Sequence, residues 1–112
     1  MPSLTAMVRT CRADRYLAQL CAHLQHLDEL PAHGHGHDRR PQLTAPVQQT
    51  DAQAAVTFDI GRLTIEADED GLLLLVESQT DAGQDRLASL IGHRLESIGQ
   101  REGLAVVWQP AP

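Results

Sequence analysis

Five of the chain's six histidines lie between positions 23 and 37. His33, His35 and His37 alternate with Gly34 and Gly36. Neutral imidazoles bind Zn, Ni or Cu well, and glycines between them let the backbone fold several around one ion. The plain alternative is a flexible polar loop of biased composition. A structural zinc site ordinarily draws four fixed ligands from ordered elements, so the plain alternative is the favoured one. His23 and His26 precede this stretch at i, i+3 spacing, which makes them neighbours on a helix surface. His23 falls at the border of the apolar face and His26 on the exposed face. They serve either as a ligand or proton-transfer pair, or as a boundary and a solvated histidine.

Three further sites carry side chains with chemical potential. Glu66, Asp68, Asp70, Gly71 and Glu77 fit a calcium-loop spacing, except that Glu stands where the template has Asp. That template needs helices on both flanks, and alternating apolar residues on either side point instead to an acidic hairpin. Arg94 falls within an apolar helix stripe, where a guanidinium must be paired or reach the edge. It reads either as a snorkelling or salt-bridged residue, with Asp59 or Glu66 as partner, or as an anion contact for a bound carboxylate. If Cys11 opens the first predicted helix and Cys21 lies within it, they are about 15 Å apart, beyond disulfide reach, and both are expected to be reduced thiols. There is no G-x-S-x-G, phosphate loop, C-x-x-C or H-E-x-x-H, and Cys21 with His23 is not a nucleophile–base pair.

The elements that must position these residues follow from periodicity. Leu4 to Thr10 alternates with period two and predicts a short strand. Residues 13–27 predict a helix with Ala13, Tyr16, Leu17, Leu20, Leu24 and Leu27 on one face, ended by Pro31. Residues 31–46 hold three prolines, two glycines and three histidines and predict a long flexible loop. From about 47 to 78 the pattern is β, with Val56, Phe58 and Ile60, then Leu63, Ile65 and Ala67. An acidic turn at Asp68–Gly71 precedes a strand from Leu72 to Val76 that is apolar on both faces. Such a strand is central, or one of its faces meets a partner. Residues 82–98 predict a second helix, capped by Thr80 or Asp81 and closed by Gly99. Leu104 to Trp108 predicts a last strand, followed by a Pro-rich tail. The order β-α-β-β-β-β-α-β with short connections predicts an α+β two-layer domain, a mainly antiparallel sheet with both helices on one face.

Composition bounds the function. The chain has 112 residues, enough for one domain (1–112), and 42% are hydrophobic. Its nine basic residues are all Arg, against fifteen acids, for a net charge of -6. Nucleic-acid affinity rests on neutralising phosphates, so neither nucleic acid nor an anionic membrane surface is an expected partner. No signal peptide is visible, and no apolar run approaches the roughly 20 residues of a membrane span. The expected location is the cytoplasm.

The string Arg15-Tyr16-Leu17-Ala18-Gln19-Leu20-Cys21-Ala22-His23-Leu24, with His26 after it, resembles the opening motif of the bacterial family DUF2218. Phe58, Gly61-x-Leu63-x-Ile65-x-Ala67, Leu72, Leu74, Leu95-Glu96, Arg101-Glu102-x-Leu104 and Trp108 agree, and the likeness runs from Ala6 to Trp108. The family carries no established activity. Similar domains occur attached to siderophore-interacting flavin reductases, which implies an association with iron handling and a reductase-type partner. Family members tend to have His where this chain has Arg94, with His93 displaced by one. A family metal site pairing that histidine with His23 would be abolished here.

Three functions follow from the sequence. The first is a non-enzymatic module binding a ligand or metal, with His23, His26 and Arg94 as ligand contacts and His33, His35 and His37 as metal ligands. The second is a structural or homodimerisation domain that pairs through a sheet face or edge, suggested by Leu73 and Leu75, which project opposite to Leu72, Leu74 and Val76. The third, ranked last, is an enzyme with His23 or His26 as acid–base.

Overall fold

The computed structural model describes residues 2–25 and 43–111. A strand β1 (Ser3–Arg9) leads into helix α1 (Ala13–Gln25). Four strands follow: β2 (Gln48–Gln49), β3 (Gln53–Thr57), β4 (Gly61–Ala67) and β5 (Gly71–Ser78). Helix α2 (Asp81–Ile98), a 3-10 turn (Gln100–Glu102) and strand β6 (Gln109–Pro110) complete the order. It is the α+β arrangement that the periodicity predicts.

The sheet runs β2-β3-β4-β5-β1-β6, with every pairing among the described residues antiparallel. The longest strand, β5, is central, as expected of a segment apolar on both faces. Strand alternation sends Ala6, Val8, Val56, Leu63, Ile65, Leu72, Leu74 and Val76 to the helix side, where all are buried. Leu17, Leu20, Cys21 and Leu24 of α1 and Leu87, Ile91 and Leu95 of α2 close over them. Truncating one of the fully buried leucines to Ala opens a cavity and costs about 2–5 kcal/mol. This single apolar layer holds the two helices on one side, and among the described residues the other side of the sheet has no cover.

Local chemistry sets the ends. Thr80 is the N-cap of α2, its hydroxyl accepting from Gly83 N–H at 3.0 Å. Gly99 closes the helix, its N–H donating to the Leu95 carbonyl. In the turn from β4 to β5, one Asp68 carboxylate oxygen accepts from the N–H groups of Asp70 (2.8 Å) and Gly71 (3.1 Å). Ser78, buried at the other end of β5, donates its hydroxyl to the Ile60 carbonyl at 2.6 Å.

One predicted element is corrected. Residues 104–108 are extended but form no ladder; pairing with β1 begins only at Gln109 and Pro110. Leu104, Val106 and Trp108 pack against the core while Ala105 and Val107 face away. The alternation that predicts a strand here reflects packing against the core edge, not strand pairing. The Val106 N–H donates to Glu96 of α2 at 3.0 Å, which holds the segment to the helix.

Candidate docking face and the predicted histidine site

The residues of the uncovered face form rows across the strands, because antiparallel partners in register point the same way. In the first row Ser3 stands opposite Glu77, which stands opposite Arg62, which stands opposite Thr57. In the second, Gln109, Thr5, Leu75, Thr64 and Ala55 follow one another. In the third, Met7, Leu73, Glu66 and Gln53 do so. A fourth level holds Arg9 opposite Gly71.

Three large apolar side chains are exposed among the described residues: Met7 at 44%, Leu73 at 40% and Val107 at 66%. Met7 and Leu73 are direct cross-strand partners. Val107 lies two residues before the Gln109–Thr5 pair, in the segment that forms no ladder with β1. Leu75 is half-buried in the next row. Met7 and Leu73 thus fall on one row of a face that no helix covers among the described residues. Scattered exposed apolar residues are ordinary, but a contiguous row rimmed by charge marks an interaction surface.

The rim is charged at both ends of the strands. Glu77 and the exposed Arg62 lie at one end, beside a cleft of about 320 Å³ that Phe58, Ile60 and Gln79 also line. Arg9 and the acidic turn Asp68–Asp70 lie at the other, with Glu66 between. The calcium reading of this acidic run does not survive: strands β4 and β5, not helices, flank the turn, and the Asp68 carboxylate is engaged by backbone N–H groups.

Of the ligand residues expected from sequence, His23 is exposed on the last turn of α1. His26, His33, His35 and His37 lie outside the described residues. Arg94 is half-buried on α2 and forms no ion pair with another described residue, so the expected partnership with Asp59 or Glu66 is not made. Among the described residues, no group of three or more His, Cys, Asp and Glu is placed to hold a metal ion. Both thiols are free, Cys11 exposed and Cys21 buried. Burial pushes the Cys21 thiol up to about 11, which makes it a poor nucleophile.

One polar contact was not foreseen from the sequence. The Tyr16 hydroxyl donates to the Glu102 carboxylate at 3.1 Å, tying α1 to the 3-10 turn across 86 residues of sequence. Burial first, and then the Glu102 bond and charge, raise the phenol above its ordinary value, against the opposite pull of Arg12 and Arg15. A tyrosine on an apolar helix stripe signals that its hydroxyl needs a partner, but not which one.

The bacterial family described as "uncharacterized protein conserved in bacteria (DUF2218)" matches residues 5–109. Among solved structures, the chain is similar to PA4090 from Pseudomonas aeruginosa, determined by NMR. The two are 24% identical, the match covers 99% of this chain and 98% of that one, and the TM-score is 0.68. This likeness supports the fold. No curated protein matches the chain. No helix among the described residues is long and apolar enough to cross a membrane.

Proposed function

The chain belongs to the DUF2218 family of bacterial proteins, and we propose that it is a non-enzymatic interaction domain whose working surface is the uncovered face of its sheet. The observation that carries this reading is the cross-strand pair of Met7 and Leu73, two of the three exposed large apolar groups of the described chain, with the half-buried Leu75 in the next row. Sheet faces that stay in water are ordinarily polar at alternate positions. Here Leu73 and Leu75 occupy alternate positions of the central strand, where Thr or Lys would hold the fold equally well. A photo-crosslinking amino acid placed at Leu73 in bacterial cells is expected to give a discrete covalent adduct. The same probe at Ser89, exposed on the outer side of α2, is expected to give none. No discrete adduct at position 73, or equal adducts at both positions, would remove the face as a working surface.

A second reading keeps a metal at the histidines. What favours it is His23, exposed on the last turn of α1 and followed in sequence by His26, His33, His35 and His37. Their imidazoles suit Zn, Ni or Cu. Calorimetric titration of the tag-free protein with each ion is expected to show stoichiometric sub-micromolar binding. Changing His33, His35 and His37 together to Ala should abolish it. Weak binding, or binding that survives the triple change, would retire the reading.

A further inference from the structure

We propose that the occupant of the uncovered face is a second copy of this chain, docked face to face about a two-fold axis that crosses the strands between the rows of Leu73 and Leu75. The inference rests on the reading of that face as the working surface. The argument is one of complementarity. A two-fold axis lying between two sheets, perpendicular to their strands, sets each strand over its own copy with direction reversed. Placed at the level of Leu74, it lays Leu73 over the Leu75 of the second copy, and Leu75 over Leu73. On β1 it lays Met7 over Thr5. On β4 it lays the acidic turn at Asp68 over Arg62, at the mouth of the cleft that Arg62 and Glu77 line. On β1 and β5 it brings Arg9 over Ser3, which has Glu77 as its cross-strand neighbour. Arg62 therefore meets the acidic turn of the other copy, and Arg9 lies diagonal to its Glu77. Each contact is made twice.

Within one chain Arg62 has Glu77 as its cross-strand neighbour, but the end-to-end pairs cannot meet. Arg62 and Asp68 are six residues apart along the strand direction, about 20 Å at the rise of a β-strand. Arg9 and Glu77 lie at opposite ends of adjacent antiparallel strands, at a similar separation.

The size of the face sets the strength. Four strands about 4.8 Å apart and about seven residues long give roughly 450 Å² of flat footprint per copy, or about 900 Å² for two. Side-chain relief brings that to about the lower bound of 1,000–1,200 Å² for a specific interface. The dimer is accordingly weak, dissociating in the micromolar range, and depends on electrostatic register.

Sedimentation equilibrium of the purified protein tests it. Between about 10 and 500 µM, the range in which a micromolar complex forms, the mass should rise from 12.3 kDa toward twice that value. Leu73→Glu should weaken association by about tenfold or more, since it sets a charge against an apolar row. Arg9→Glu and Glu77→Arg should each weaken it, and the double variant should recover it, although the two positions are too far apart to interact within one chain. Circular dichroism of each variant separates lost association from lost fold. A chain that stays monomeric throughout the range, or a charge swap that does not recover, overturns the second copy as occupant. If the crosslink at position 73 in cells then joins a different protein, the docking face stands and only its occupant is wrong. If no adduct forms there at all, the face itself fails.

Discussion

Replacing Gly71 with Ala is expected to destabilise the fold by about 3 kcal/mol or more, a large part of the 5–15 kcal/mol that a domain of this size holds. Two effects add at this position. Gly71 has φ of +144°, a region that residues with a Cβ rarely adopt. A Cβ there would also press into the backbone carbonyl of Val8 on the neighbouring strand, and backbone cannot swing aside as a side chain can. The residue sits at the joint between the Asp68 turn and β5, opposite Arg9. Relief would require shifting the end of β1, and β1 is paired with the central strand along its whole length. Gly103 supplies the comparison. Its φ is +74° but nothing lies within 4 Å of an added Cβ, so Gly103→Ala should lose only about 1–2 kcal/mol. Urea unfolding followed by circular dichroism measures both. Equal losses for the two variants would show that the contact with Val8 carries no weight.

The same joint shows how far the sequence carries a reader. The acidic Asp68–Gly71 turn, the alternation of Leu63 and Ile65 before it and the apolar run after it are local signals, and each specifies its element without knowledge of the rest. The two helices are equally local, because Leu17, Leu20 and Leu24, like Leu87, Ile91 and Leu95, repeat at helical spacing. What local pattern does not contain is strand order. Nothing within Ser3–Arg9 says that β1 inserts between β5 and β6, and the pair of Met7 and Leu73 exists only through that insertion. Sequence therefore exposes Leu73 and Leu75, which are odd within their own strand, but does not place Met7 beside Leu73. The Tyr16–Glu102 bond is hidden for the same reason. The misplaced last strand has a different cause. Alternating burial at Leu104, Val106 and Trp108 is real, but it reports which side chains face the core and not whether the backbone pairs. The histidines are the opposite case: conspicuous in sequence, and for the most part outside the described residues.

The two cysteines are expected to differ in reactivity by orders of magnitude, and the buried one to make the fold sensitive to alkali. Cys11 is exposed in the turn before α1, and Cys21 is sealed on the core face of that helix. With its thiol near 11, Cys21 is thiolate in only about one molecule in a thousand at pH 8, and a reagent must also wait for the core to open. A disulfide reagent should therefore count one thiol per native chain and two in denaturant. Cys11→Ser should count none and one. The slow labelling of Cys21 then reports opening of the sheet–helix core, which makes it a readout of stability for the Gly71 variant as well. The sign of the pH effect follows from the same shift. The native thiol holds its proton up to about 11, whereas in the unfolded chain it leaves near the ordinary 9.0. Below pH 9 both states are protonated and stability is undiminished. Between 9 and 11 only the unfolded state gains by ionising, so stability falls, by about 2–3 kcal/mol for this group. Tyr16, also raised, acts in the same direction, so Cys21→Ala should reduce the alkaline loss without abolishing it. Stability that stays level from pH 9 to 11, or Cys21 labelled as fast as Cys11, would mean that α1 does not seal its thiol against the sheet, and the single-layer core described above would have to be revised at that helix.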